Sequence, residues 1–518
     1  MLFNSYVFIF AFLPIVIGVF AILQKFNRAR MMTAWLVIAS IFFYGWWNPA
    51  YLLLIGLSIG VNFFIGRQLS IKPSKPTLIT GIAFNLGLLG YFKYAMFFAG
   101  AVGYDVGSII LPLAISFFTF QQITYLIDAN KGATSEYNFL DYCLFVTFFP
   151  QLIAGPIVHH KDMMPQFADK KVFGITIQNI GIGLTFFIIG LFKKLVIADE
   201  IATYATPVFN AADAGGDVYF IEAWIGALSY TFQLYFDFSG YSDMAIGLAR
   251  IFGIQLPLNF FSPYKSASII DFWRRWHITL SHFLRDYLYI PLGGNRKGTM
   301  RRYTNLLTTM ILGGLWHGAG WNFIIWGALH GLYLMINNGW RSFCLALSIK
   351  PFAGLLGQII AIGITFISVV FSWVFFRATT LDGALSMCKS MLGLNGISLP
   401  RAVSEHVVTA FNDIGFETFT MGVLPILNSK ITEILFVLLP VMAIAFIAPN
   451  TAQFMRRTLR NPASKDFADL NRDKLIPIVQ KLMPVWRAHF IYGLLMAGLA
   501  TIAVLSMTRI SEFLYFQF

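Results

Sequence analysis

The sequence predicts an all-α polytopic membrane protein, and three observations carry that prediction. Of 518 residues, 57% are hydrophobic and only 12% are charged, about half the roughly 25% charge of soluble domains. The apolar residues come in long unbroken runs, whereas the strands of a membrane barrel alternate apolar and polar at period two. The 54 phenylalanines favour helices in lipid. A soluble chain of this size would lack the polar side chains to cover itself, and disorder needs low hydrophobicity with high net charge.

The formal net charge is +13. In a soluble protein this would point to nucleic acid. Here Lys and Arg cluster between apolar spans, the positive-inside pattern of cytoplasmic loops, so membrane lipid is the expected partner and nucleic acid is not. Cys143, Cys344 and Cys388 are scattered and form no CxxC pair. Neither a disulfide framework nor a metal site is expected from them.

Residues 5–23 form the first apolar run, with no Lys or Arg before it and Lys25, Arg28 and Arg30 after it. A cleavable signal peptide has the opposite order, so a retained span with its N-terminus outside is expected. Residues 34–66 carry no charge and are too long for one crossing at about 20 residues per span. Trp47-Asn48-Pro49 divides them into two helices joined by a tight external turn. Arg67, Lys72 and Lys75 mark a second cytoplasmic loop. Further spans are expected near residues 77–101, 109–127, 140–157, 173–197 and 218–238. Asp199, Glu200, Asp213 and Asp217, in a stretch without Lys or Arg, fit an outside loop.

Residues 264–302 hold eight Lys/Arg and two Asp among Trp273, Trp276, Phe283, Tyr287 and Tyr289, a composition for amphipathic or half-inserted interfacial helices. The uncharged residues 303–340 again suffice for two passes, interrupted at Gly313-Gly314 and Gly318-Ala319-Gly320. Later spans are expected near 352–376, 418–427, 431–448 and 488–507, with 453–487 as a polar cytoplasmic connection. No soluble domain and no internal repeat is visible. One membrane domain over residues 1–518, with about 11–13 crossings plus re-entrant and interfacial helices, is the expected architecture.

Ionisable groups at membrane depth are costly and mark function. His317 sits in Gly313-Gly314-Leu315-Trp316-His317-Gly318-Ala319-Gly320-Trp321-Asn322, where glycines permit close approach and a broken helix. Such backbone is tolerated at depth only under protein or beside a water-filled cavity. A neutral imidazole there can act as general base; the alternative is a core histidine bonded to a carbonyl. His277 lies in Asp271-Phe272-Trp273-Arg274-Arg275-Trp276-His277-Ile278-Thr279-Leu280-Ser281. At helical spacing Trp273, His277 and Ser281 share one face, with Arg274 and Arg275 to the side for phosphate or lipid headgroups. The alternative is an interfacial helix anchored by its Trp and Arg. His282 and His330 are weaker candidates.

Gln233, Asp237, Ser239, Tyr241, Ser242 and Asp243 form a second polar cluster. Its carboxylates need partners, for which Arg250 or the arginines of 264–302 are available; such clusters are commonly pairing networks. Residues 149–158 hold Pro150, Gly155 and Pro156, the makings of a kinked or re-entrant turn. No nucleotide loop, zinc signature or GxSxG is present, and Gly293-Gly294-Asn295-Arg296 lacks the strand–helix context of a phosphate loop.

Taken together, residues 149–158, 236–246, 272–281 and 316–331 resemble the membrane-bound O-acyltransferase (MBOAT) family. Residues 1–13 and the run Phe42-Phe43-Tyr44-Gly45-Trp46-Trp47 resemble its bacterial branch that contains the alginate O-acetylation membrane protein. The resemblance implies a helical bundle around a tunnel through a locally thinned membrane, with a catalytic core near residues 110–335. It places the family's invariant histidine on His317 and its second active-site position on His277. It further implies transfer of an acyl group, most simply acetyl, from acetyl-CoA or a similar thioester to a hydroxyl, with no permanently bound cofactor and no metal. Trp273, Trp276, Arg274, Gln233, Asp237, Tyr241, Trp316 and Asn322 are then the expected substrate contacts. The implied setting is the cytoplasmic membrane of a bacterium, with a periplasmic SGNH-type partner and an exported or envelope polysaccharide, such as alginate, as acceptor. Rival readings are D-alanyl or other acyl transfer, a secondary transporter with its site at the glycine-broken segments, and a non-catalytic scaffold of an export complex.

Overall fold

In a computed structural model, the chain is described for residues 1–132, 138–169, 172–349, 352, 354–400, 418–421, 424, 426–428, 431–459 and 485–508. Among the described residues, five helical runs are long and apolar enough to cross a membrane: Phe8–Lys25, Tyr51–Ile71, Lys75–Ala101, Ile177–Asp213 and Gly354–Arg377. Ala29–Gly45, Ile431–Phe446 and Phe490–Leu505 are shorter apolar helices. Gly298–His317 and Trp321–Ala346 are long but carry polar faces. Among the described residues the regular elements are helical apart from two short parallel strands, Ile397–Pro400 and Thr418–Met421. It divides into two compact units.

The first unit comprises Met1–Phe192, Ser239–Asn259 and Trp486–Phe518. The expected turn at Trp47-Asn48-Pro49 is present: Ala29–Gly45 and Tyr51–Ile71 are separate helices, and the Asn48 side chain accepts from the Ala50 amide at 3.0 Å. Phe8, Phe12, Phe43 and Phe149 interlock with ring centroids 5.5–6.2 Å apart. The Ile177–Phe192 helix crosses residues 239–251 at glycines. A Cβ on Gly183 or Gly190 would stand within 3.0 Å of the carbonyl oxygen of Gly247 or Gly240. Both pairs are seven residues apart, two helical turns, so small residues bring the two backbones together, as lipid-embedded helices require.

Polar side chains inside this unit satisfy one another. Asn62 and Asn85 exchange amide hydrogen bonds at 3.1 and 2.6 Å, and Gln122 donates to Ser58 at 2.9 Å while accepting from Tyr142. The single span expected near 140–157 is instead two short helices, Phe139–Thr147 and Phe149–Leu152. Phe148 leaves the helical region between them, and its following amide bonds to Ser40 Oγ at 3.0 Å. Residues 149–158 are wholly buried and non-helical beyond Leu152, so the expected kinked turn is present.

The second unit comprises Lys193–Phe238 and Phe260–Val485. Its first helical turn, Lys193–Ala198, is π-helical. Residues 264–302 form a 3₁₀ turn and two seven-residue helices, Ile269–Arg275 and Ile278–Leu284, followed by a π turn. Seven residues span about 10 Å, too short to cross, as expected for interfacial elements. Gly298–His317 and Trp321–Ala346 then pair as a hairpin. Gly318-Ala319-Gly320 breaks the chain there, but Gly313-Gly314 does not: both lie inside the helix. Their task is contact, since a Cβ on Gly314 would stand 3.1 Å from Gly327 Cα and closer still to the Phe323 carbonyl oxygen.

The spans expected near 352–376, 431–448 and 488–507 correspond to Gly354–Arg377, Ile431–Phe446 and Phe490–Leu505. The one expected near 418–427 is not a helix; Thr418–Met421 is a strand. The polar connection expected over 453–487 lies largely outside the described residues.

The glycine contact gives a direct test of the hairpin. Gly314→Ala should lower thermal stability in detergent by about 1–3 kcal/mol through overpacking. Gly363→Ala, in a helix with nothing within 4 Å of the added Cβ, should change it by no more than about 0.5 kcal/mol.

Candidate active site

The two candidate histidines, forty residues apart in sequence, lie together in the second unit, their ring centroids 6.4 Å apart at an interplanar angle of 61°. Helix termini place both. His317 is the last residue of Gly298–His317 and is half-buried. Its ring packs edge to face against Trp316 (4.9 Å), Trp326 (5.1 Å) and Phe376 (5.1 Å).

His277 is fully buried and stands in the left-handed region, φ 43° and ψ 54°. The preceding Trp276 is extended, and the chain between Ile269–Arg275 and Ile278–Leu284 turns at these two residues. The single helix face expected for Trp273, His277 and Ser281 therefore does not exist: they lie on either side of a break. A non-glycine residue in this region costs of order 1–3 kcal/mol and persists where its surroundings over-determine it. Those surroundings are Phe238 at 4.9 Å and Trp316 at 6.2 Å. Burial outside the spanning helices pushes the His277 imidazole down to about 3, so it is neutral throughout the physiological range.

Trp276 and Trp273 build the wall behind the pair. Trp276 stacks on Phe272 at 5.7 Å and meets Trp373 at 4.9 Å; Trp373 stacks on Trp326 at 5.7 Å. Trp273 donates its indole N–H to His330 Nδ1 at 3.3 Å. Ser372 Oγ lies 2.9 Å from His330 Nε2 and gives its own proton to the Val369 carbonyl, so His330 Nε2–H is the donor to Ser372. Both nitrogens of His330 are thereby engaged, and it is a packed core residue.

Trp273 also lines a cavity of about 540 Å³ together with Asp271, Arg274, Ser281, His282 and Arg285. Arg274 and His282 are exposed there, whereas Arg275 is buried and paired with Asp271 at 3.0 Å. The chain of rings Trp273–Trp326–His317, with centroids 5.9 and 5.1 Å apart, leads from the cavity wall to the histidine.

The remaining expected contacts have other partners. Asp237 pairs with Lys194 at 2.6 Å, a partner outside the arginines expected for it, and the same ammonium holds Asp199 at 2.8 Å. All three are buried, and Asp237 adjoins the Phe238 that packs on His277. Gln233 is buried one turn earlier on the same helix. Asn322 donates to the carbonyls of Ala378 and Thr380 at 2.8 and 3.1 Å, tying the turn after His317 to the end of the Gly354–Arg377 helix. Tyr241 belongs to the first unit, where it stacks on Phe3 at 4.8 Å; Asp243 is in that unit as well.

Lys194, Trp326, Trp373 and Phe376 are the neighbours that sequence reasoning missed. Lys194 left a visible signal, a charge inside an apolar run; the aromatic residues, in a chain with 17% aromatics, left none.

A family model for the membrane-bound O-acyltransferase family matches residues 129–378, a range that contains both histidines and the whole wall. The peptidoglycan O-acetyltransferase of Helicobacter pylori is 48% identical over 77% of this chain and 81% of its own length. The chain belongs to the membrane-bound O-acyltransferase family. Among its relatives, the probable alginate O-acetylase AlgI of Pseudomonas aeruginosa is 38% identical over the full length of both chains. The teichoic acid D-alanyltransferase of Streptococcus thermophilus is 29% identical over 45% of this chain and 58% of its own. The protein is thus a multi-pass membrane O-acyltransferase, and the transporter and scaffold readings are set aside.

Removing one member of a buried ionic triad strands the rest. Lys194→Met, which leaves Asp199 and Asp237 facing each other, should destabilise this MBOAT protein by about 3–5 kcal/mol, measured as a loss of thermal stability in detergent.

Proposed function

We propose that this chain moves an acetyl group from a cytoplasmic thioester, acetyl-CoA or a close equivalent, toward an exported or cell-envelope polysaccharide. The observation that carries this reading is the pair of histidine rings 6.4 Å apart behind a wall of indoles, one ring neutral and buried and the other half-buried. Acetyl rather than D-alanyl is favoured because the O-acetylating relatives match at 48% and 38% identity, against 29% over less than half of this chain for the D-alanylating one.

His317 serves as general base. It takes the proton of the attacking hydroxyl as the oxygen bonds to the thioester carbonyl carbon. The carbon–sulfur bond then breaks, and the proton passes to the departing thiolate. His277, locked by its backbone and its aromatic neighbours, orients the reactants or donates to the developing oxyanion. A hydrogen bond of this kind, made only as charge develops, is worth about 10²–10³ in rate. A transient acyl-histidine on His317 is the alternative route for the same atoms.

The cavity beside Trp273 fits the donor: Arg274 on its wall is a forked donor suited to phosphate, whereas the Arg285 fork is held by Asp286 at 2.7 and 3.0 Å. Asn322 and Asp237 act by holding their neighbours in place, and Gln233 presents an amide on the same helix face. A periplasmic SGNH-type partner completing transfer to sugar, in the bacterial cytoplasmic membrane, is the setting in which this chemistry serves an exported glycan.

His317→Ala should abolish polysaccharide acetylation in cells while the protein still accumulates in the membrane. Normal acetylation in that variant would refute the proposed role.

A further inference from the structure

We propose that Trp273 is a gate between the cavity and His317, and that His330 is the positioning residue that latches it shut. This rests on the reading of the cavity as the donor site and adds what controls passage out of it. The cavity of about 540 Å³ is walled by Trp273 and Arg274, but neither His277 nor His317 lines it. His317 is half-buried, yet it is no part of this wall. A thioester whose phosphate rests at Arg274 therefore meets an indole before it meets the imidazole that would act on it.

The contacts of Trp273 define the direction in which it can move. Its ring packs on Trp326 at 5.9 Å, on His330 at 5.1 Å and on Phe272 at 5.9 Å. Trp326, the next ring toward His317, is 1% exposed and is held by Trp373 at 5.7 Å and Phe376 at 5.1 Å. Close packing leaves it no room to yield. Trp273 has that room, because one of its sides is the cavity, which is large enough for a small ligand. Its helix, Ile269–Arg275, has only seven residues and ends at the Trp276–His277 break.

A ring that must move is best held by a single polar bond. The Trp273 indole N–H donates to His330 Nδ1 at 3.3 Å, longer than most N–H hydrogen bonds in proteins. His330 and Trp326 are four residues apart on one helix, hence on one face. That helix supplies both the surface against which Trp273 seals and the acceptor that keeps it there. Ser372 Oγ, 2.9 Å from His330 Nε2, accepts from that nitrogen and leaves Nδ1 as the acceptor for the indole. Turning the indole away strands a buried acceptor, which disfavours the open state by roughly tenfold. A donor that needs the open state loses the same factor in apparent affinity.

The test is calorimetric binding of a non-cleavable thioether analogue of acetyl-CoA to the purified full-length protein in detergent. His330→Leu removes the latch, and Trp273→Phe removes the N–H while keeping a ring in place. Each should tighten binding by about 3–10-fold. The double variant should gain no more than the better single one, because both act on one bond. His330→Gln, whose amide can accept from the indole and donate to Ser372, should bind as the wild type does. A purely structural role predicts the reverse, weaker binding throughout. Weaker or unchanged binding in both single variants, or gains that add in the double variant, would overturn the gate. Solvent exchange of the Trp273 indole proton, followed by NMR and assigned by its absence in Trp273→Phe, needs no donor. It should be at least about tenfold faster in His330→Leu and close to wild type in His330→Gln. Equal rates in the wild type and His330→Leu would also overturn the latch. Faster exchange in His330→Leu, with no binding of the analogue to any of these proteins, refutes the coenzyme A donor and leaves the latch standing.

Discussion

The left-handed backbone of His277 is the constraint around which the site is organised. A helix continued through Trp276 and His277 would carry Trp273, His277 and Ser281 on one face and turn the imidazole along the interfacial helix. The break instead turns the ring toward His317, where Phe238 and Trp316 hold it. Histidine is one of the few side chains that enter this region with some regularity, and the conformational cost is met by complete burial among aromatic rings. The Trp276–Trp373–Trp326 stack and the Trp273–His330–Ser372 hydrogen bonds in turn prevent that wall from shifting.

The rest of the chain meets a different requirement. Helices in lipid gain little from burying apolar surface against one another, so they associate through close backbone approach and satisfied polar pairs. Gly183/Gly247 and Gly190/Gly240 in one unit, and Gly314/Gly327 in the other, supply the approach. Asn62/Asn85 and Lys194 with its two aspartates supply the pairs. The Lys194 triad also has a consequence for chemistry, because it fixes the helix turn that presents Phe238 to His277. A substitution there therefore acts on the site through position and not through contact with substrate.

Much of this was legible in the residue order. Composition alone indicated helices in a membrane, and the charge-free run around His317 and the basic segment around His277 singled out the two rings. What the sequence could not show was the local backbone. Helical spacing treats Trp273, His277 and Ser281 as neighbours, and only packing reveals that the chain breaks between them. Gly313-Gly314 likewise has the composition of a breaker, yet it lies within a helix because close contact with Gly327 requires the absence of a Cβ. Partner choice was equally hidden: several cations were available to Asp237, and the one paired with it, Lys194, lies in the π turn of Lys193–Ala198, a feature that no spacing rule anticipates.

The proposed division of labour between the rings is the central claim: half-buried His317 exchanges the proton, and His277, held neutral down to about pH 3 by burial, positions. The pH dependence of acetyl-CoA cleavage by the wild type and by His277→Asn tests it most directly. The account predicts a single acid limb that keeps its midpoint in the variant while the plateau rate falls. A limb that moves or disappears in His277→Asn would show that His277 itself titrates in the reaction, and would contradict it.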